Sequence, residues 1–144
     1  ELFLVGRDPS RTVTAMGQGP SVTVTGTVPD VRPYLHASTA LLVPLRYGSG
    51  VRTKILEAFA AGRPVVSTAV GAEGLDVRDG EHLLLADTEE EFARACIRLA
   101  TDRKLAQRLS VDGRAFAEEQ DRAATRRLHA ALAEAYGWET PGTD

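Results

Sequence analysis

Five short apolar or β-branched runs, each too brief for a buried helix, alternate along the chain with stretches of helical pattern. Residues 2–6 read as a strand closed by Gly6-Arg7-Asp8-Pro9. Residues 21–25 read as a second, bounded by Gly19-Pro20 and Gly26. Residues 39–43, 64–68 and 82–85 read as strands of the continuous apolar kind. Between them, residues 9–17 carry a weak helical period, and Asp30 is placed to N-cap a short helix through Tyr34-Leu35-His36. Residues 51–61 form a helix stopped by Gly62 and Pro64. Thr88, with Glu91 three residues on, is a capping box for a helix to about Thr101. Residues 102–109 and 111–136 read as two further helices, and 137–144 as a loose tail carrying Trp138. Strands apolar on both faces need cover on both, so this order predicts an α/β fold built on a parallel sheet. Ligands of such sheets bind beyond the carboxyl ends of the strands, which directs attention to the loops at 6–9, 44–50 and 69–75.

The 144 residues and 15.4 kDa suffice for one domain with its own core, needing no metal or disulfide staple. Seventeen basic against twenty acidic side chains leave a net charge of −3, which gives no electrostatic reason to expect nucleic acid or an anionic membrane as partner. The longest apolar stretches fall far short of the roughly 20 residues a membrane span needs. Cys96 is the sole cysteine and cannot form an internal disulfide; set among Phe92, Ala93, Ile97, Leu99 and Ala100, it reads as a buried, inert thiol. His36, His82 and His129 match no zinc spacing and read as structural or exposed, so neither metal nor cofactor is called for. The expected setting is the cytoplasm.

The chemistry concentrates between Pro44 and Gly62. A strand runs into Gly48-Ser49-Gly50, and those glycines run into a helix. Glycine lets backbone approach a ligand closely, and a helix start offers unpaired N–H groups to a phosphate. Arg52 and Lys54 fall in the first turn, where the helix dipole disfavours cations; their presence there implies an anion. Glu57 lies roughly 9 Å further along the axis, and its apolar neighbours Leu56, Ala58, Phe59 and Ala60 point to partial desolvation. A carboxylate accepts hydrogen bonds on two oxygens, which suits a vicinal diol. A diphosphate at the helix start with a ribose at Glu57 is therefore one reading. An ion pair of Glu57 with Lys54 or Arg52 on a solvated face is the other. The segment is neither a P-loop nor a Gly-x-Gly-x-x-Gly fingerprint. Gly71-Ala72-Glu73-Gly74 follows a strand, as a ligand loop or as turn chemistry. Asp30 reads as a cap rather than a base, and Glu89-Glu90-Glu91 as favourable charge at a helix start.

Taken in order, Leu4-Val5-Gly6, Val24-Thr25-Gly26-Thr27-Val28-Pro29-Asp30-Val31, Val43-Pro44-Leu45-Arg46, Gly50-Val51-Arg52-Thr53-Lys54-Ile55-Leu56-Glu57-Ala58, Gly62-Arg63-Pro64-Val65-Val66-Ser67-Thr68 and Gly71-Ala72-Glu73-Gly74-Leu75 form a series that resembles the nucleotide-sugar-binding half of a group 1, family-four glycosyltransferase. The resemblance covers residues 2–120. It implies a Rossmann-like parallel sheet with helices on both faces, one of two such domains facing a cleft. It also implies retaining transfer from a nucleotide diphosphate sugar without a resident metal, and an acceptor domain on the N-terminal side. By the same resemblance, Glu57 matches the second Glu of a Glu-x7-Glu motif and holds the donor ribose. The first Glu falls at position 49, where this chain has Ser49, so the contact to the donor hexose differs. Arg52 and Lys54 would supply charge to the diphosphate as the catalytic cations. Gly48, Ser49, Gly50, Val51 and Thr53 would cradle it, with Gly6 and Gly71 at the edges of the donor site. An epimerase or a non-catalytic binding module of the same fold are the alternatives.

The chain begins at Glu1, directly on a strand, as if cut before one. In the fold implied, the strand ahead of it would sit between those at 2–6 and 39–43. The gap is expected to be filled by preceding residues, closed by direct strand pairing, or occupied by another chain in a homo-oligomer. The fragment alone is expected to be inactive.

Overall fold

The computed structural model describes residues 1–48 and 53–136. Two compact units are distinguished, Glu1–Ser38 and Thr39–Asp144.

The first unit holds β1 (Leu2–Val5), α1 (Arg11–Met16), β2 (Val22–Gly26) and α2 (Arg32–Ala37). β1 and β2 pair in parallel, Leu2 beside Val22, with a register slip that sets Val5 beside Gly26. Ser10 caps α1 by accepting from the Val13 N–H at 3.3 Å. Where α1 ends, a Cβ on Gly17 would fall 2.8 Å from Val24, so glycine lets the helix end close onto β2. The N-cap of α2 is Val31, not Asp30. Asp30 stands one residue earlier and accepts from the Arg32 N–H at 2.9 Å and from its guanidinium. The side chain still serves the helix start, through a turn of its own. Arg32 holds the Asp30 carboxyl below its ordinary value by hydrogen bonding.

The second unit holds β3 (Leu41–Val43), α3 (Thr53–Ala60), β4 (Val65–Ser67), α4 (Ala69–Ala72), β5 (Leu84–Leu85), α5 (Glu89–Thr101) and α6 (Arg103–Tyr136). Its sheet runs β3-β4-β5, all parallel. Val65, Val66 and Ser67 are all fully buried. Successive strand residues face opposite sides, so β4 is covered on both faces. Val66 and Leu84 pack with Leu99, Leu105 and Leu109 of α5 and α6, and Cys96 adds to this cluster from its edge. Cys96 is half-buried rather than buried, and burial pushes its thiol pKa up, away from reactivity.

Two further expectations are corrected. The two helices expected over 102–109 and 111–136 are one continuous helix, α6, which begins at Arg103. The Ser110 hydroxyl donates to the Gly62 carbonyl at 2.6 Å instead of competing with its own helix. Gly113 persists inside α6 because a Cβ there would sit 2.7 Å from the Phe59 ring. The segment read as a loop at 69–75 begins with α4, whose N-cap Thr68 accepts from the Gly71 N–H at 2.9 Å. The capping box at Thr88 and Glu91 forms as expected.

Candidate functional site

α3 is the element that carries the expected chemistry. Its end is fixed by a Schellman motif: Gly62 N–H donates to the Phe59 carbonyl at 2.9 Å and Arg63 N–H to the Ala58 carbonyl at 2.8 Å. Gly62 has φ +65°, a conformation that favours glycine. Ile55, Ala58 and Phe59 point into the core, and Phe59 meets the Phe116 ring of α6 edge-on at 6.0 Å. The opposite side is left to solvent. Thr53 and Lys54 are exposed in the first described turn. Glu57 is exposed too, which corrects the expected desolvation: only one stripe of this amphipathic helix is buried, and 57 lies off it. Among the described residues no ion pair joins Glu57 to Lys54. Ahead of the helix, Gly48 has φ +140°, again a glycine conformation. The expected cradle and cation at Ser49, Gly50, Val51 and Arg52 lie outside the described residues, as does the tail at 137–144.

Glu57 lines a groove of about 650 Å³ between α3 and α6. Leu56 and Ala60 flank it on α3; Arg114, Asp121 and Arg127 face it from α6. Arg114 donates from Nε to Glu118 at 3.1 Å.

A second groove, of about 430 Å³, opens at the carboxyl ends of β3, β4 and β5. One segment follows each strand: Leu45 and Arg46 after β3, Thr68 to Val70 after β4, Asp87 to Glu89 after β5. The Thr68 hydroxyl donates to the Leu45 carbonyl at 2.5 Å. Asp87 accepts from the Ala69 N–H at 2.7 Å, and Arg46 pairs with Glu89 across the opening. Sequence reading pointed to the loop that carries Arg46, read Glu89 as charge at a helix start, and did not single out Asp87. Arg46 and Asp87 lie a few residues beyond β3 and β5, and Glu89 opens α5.

The sequence-derived residues are therefore spread over distinct places. Glu57 lines the α3–α6 groove, and Gly6 belongs to the first unit with nothing within 4 Å of a Cβ built on it. Gly71 is buried in α4, where a Cβ would collide with the Ser67 hydroxyl and meet the Val43 carbonyl at 2.9 Å. Its φ is not left-handed, so close packing rather than turn geometry requires a glycine there. His82 is structural: Nδ1 accepts from the Arg78 N–H at 3.1 Å, and its ring lies 4.9 Å from that of Phe116. Among the described residues no cluster of three metal-ligating side chains occurs, and no helix is long and apolar enough to cross a membrane.

Parallel strands alternating with helices, with grooves at the strand ends and along α3, define a Rossmann-like α/β protein. A family model described as glycosyl transferases group 1 matches residues 1–102. The lipopolysaccharide core biosynthesis glycosyltransferase LpsE of Rhizobium meliloti is 34% identical over 102 residues, 69% of this chain and 30% of LpsE. Sucrose-phosphate synthase from Thermosynechococcus elongatus has the same fold at a TM-score of 0.69 and 29% identity, over 90% of this chain and 39% of that one. HepE of Anabaena, solved in complex with UDP, gives a TM-score of 0.78 at 19% identity, over 92% of this chain and 40% of HepE. The chain belongs to the group 1 glycosyltransferases. It spans under half the length of each of these relatives.

Proposed function

We propose that this chain is the donor-binding half of a retaining glycosyltransferase that moves a hexosyl group from a nucleotide diphosphate sugar to an acceptor held by a second domain, in the cytoplasm. The observation that carries the reading is the solvent-facing carboxylate of Glu57 on the flank of α3, in a groove large enough for a nucleoside. Family membership and the UDP bound to HepE support the choice of nucleotide.

In this reading Glu57 accepts both hydroxyls of the donor ribose. The diphosphate lies toward the start of α3, where Lys54 and Arg52 set positive charge. The barrier is departure of the diphosphate from an oxocarbenium-like centre, and cations aimed at the developing phosphate charge lower it. Gly48, Ser49, Gly50, Val51 and Thr53 offer backbone to the phosphates, with Gly6 and Gly71 at the margins. Residues 1–144 alone bind nucleotide weakly and do not turn over, because the acceptor side is supplied elsewhere; sugar transfer at a normal rate by this stretch alone refutes that.

Calorimetry with UDP, GDP and ADP tests the central contact. Glu57→Ala is expected to weaken binding by about 1–3 kcal/mol, five- to 150-fold in Kd. An unchanged Kd removes the ribose role.

A further inference from the structure

Thr68 ties the exit of β3 to the start of α4 through backbone and side chain together. Its N–H donates to the Val43 carbonyl at 3.2 Å, and its hydroxyl donates to the Leu45 carbonyl at 2.5 Å. The same hydroxyl accepts from the Gly71 N–H at 2.9 Å. A hydroxyl has one proton to give, and here it goes to a carbonyl just beyond β3. An N-cap needs only the acceptor side of that group, so the donor side serves something other than capping.

The two ends of this link are not equally fixed. α4 is held without it: Asp87 accepts from the Ala69 N–H at 2.7 Å, and Gly71 is buried against Val43. The arm that leaves β3 is held far less. Pro44, Arg46, Tyr47 and Gly48 are exposed, Tyr47 to 86%. Arg46 pairs with Glu89, but both side chains lie largely in water, which screens the pair. Leu45 is half-buried, and its carbonyl is the point at which Thr68, only 6% exposed, grips the arm. Residues 46–52 run from that grip to α3 at Thr53, and this stretch carries the phosphate contacts proposed above.

We propose that Thr68 is a positioning residue for the donor diphosphate: its hydroxyl fixes the Leu45 carbonyl and so aims the backbone that follows at the phosphates. In this role Thr68 touches no ligand. It spares the arm part of the ordering that binding would otherwise require. The proposal rests on the nucleotide reading and adds to it what holds the phosphate-binding backbone in place. Glu57 sits on the flank of α3, which is anchored by Ile55, Ala58 and Phe59 and by its own C-terminal stop at Gly62. Loss of the Thr68 hydroxyl therefore falls on the phosphates and not on the ribose.

NMR titration of the full chain compares UDP with uridine, which has the ribose but no phosphate. Thr68→Val keeps the shape and removes the hydroxyl; Thr68→Ser keeps the hydroxyl. Thr68→Val is expected to bind UDP about five- to tenfold more weakly and uridine within about twofold of the wild type, with Thr68→Ser restoring UDP. A hydroxyl that only caps α4 lowers the melting temperature of Thr68→Val and leaves its Kd for UDP unchanged, which overturns the proposal. Equal losses for UDP and uridine overturn it too, as does a serine variant as weak as the valine one. Should Thr68→Val melt below the titration temperature, Thr68→Cys, a weaker donor and acceptor, takes its place, with the same split expected at about two- to fivefold. Glu57→Ala, run in parallel, is expected to weaken UDP and uridine together. A normal loss in Glu57→Ala beside an unchanged Thr68→Val removes this proposal alone; a wild type that binds neither compound removes the nucleotide reading and this proposal with it.

Discussion

The two units are written in the same strand–helix grammar, yet they differ in depth. No described residue of Glu1–Ser38 is buried, whereas Ile55, Phe59, Val65, Val66, Leu83 and Leu109 of the second unit are fully buried. Both contain β-branched strands paired in parallel. The difference is in layers. β4 has a strand on each side and covered faces, while β1 and β2 are flanked by six-residue helices, neither of which buries a residue. A two-stranded sheet with short helices cannot remove enough apolar surface from water to build an interior. Strand-forming sequence specifies extended backbone; burial comes from what is stacked on it.

The sharpest way to break this comparison is to remove one large side chain from each unit. Phe59→Ala is expected to cost about 3–5 kcal/mol, because the ring is fully buried against Phe116 and Gly113. Leu4→Ala, half-buried on β1, is expected to cost about 1 kcal/mol. Native-state hydrogen exchange reads the same contrast, with β4 amides opening only globally and β1 amides opening locally. Equal costs, or equal protection, would show that the first unit has an interior after all.

Glycines give a second, smaller contrast. Gly71→Ala is expected to destabilise by about 1–3 kcal/mol, since the new methyl meets the Val43 carbonyl at 2.9 Å and backbone must move. Gly6→Ala adds a methyl with nothing within 4 Å and is expected to leave the denaturation midpoint unchanged. A neutral Gly71→Ala would show that α4 can lift from β3 and β4.

These glycines also show what the sequence could and could not disclose. Strand positions, the Thr88 capping box and the Gly62 stop were legible because each rests on local chemistry: periodicity, a side chain reaching three residues, a positive φ. The break expected at residue 110 misled for the opposite reason. α6 runs straight through it, with the Ser110 hydroxyl engaged by a partner distant in the chain, the Gly62 carbonyl. α4 was hidden because its four residues carry no usable period. In the candidate site, the exposure of Glu57 depended on which stripe of α3 the core would claim. The partnership of Arg46 with Glu89 spans 43 residues of chain and leaves no pattern in sequence.

The finest contrast lies in how each unit caps a helix. Ser10 holds α1 with one side-chain bond, while Thr88 and Glu91 satisfy each other's backbone N–H groups at the start of α5, both at 3.2 Å. Thr88→Ala is expected to cost about 1 kcal/mol, and Ser10→Ala about half of that, since α1 has no reciprocal partner and no interior to anchor. Acid separates them further. The Thr88 N–H holds the Glu91 carboxyl below its ordinary value of 4.5. A carboxyl lowered on folding stabilises the folded state above its unfolded value, and that contribution is lost as pH falls through the folded one. The α5 cap is therefore expected to weaken only below pH 4.5, and the α1 cap, which has no carboxylate, not at all. Amide exchange at Glu91 and Val13, followed from pH 6 down to pH 3 and corrected for intrinsic rates, measures both. Parallel losses at the two helices would mean that acid loosens the molecule as a whole rather than releasing one cap.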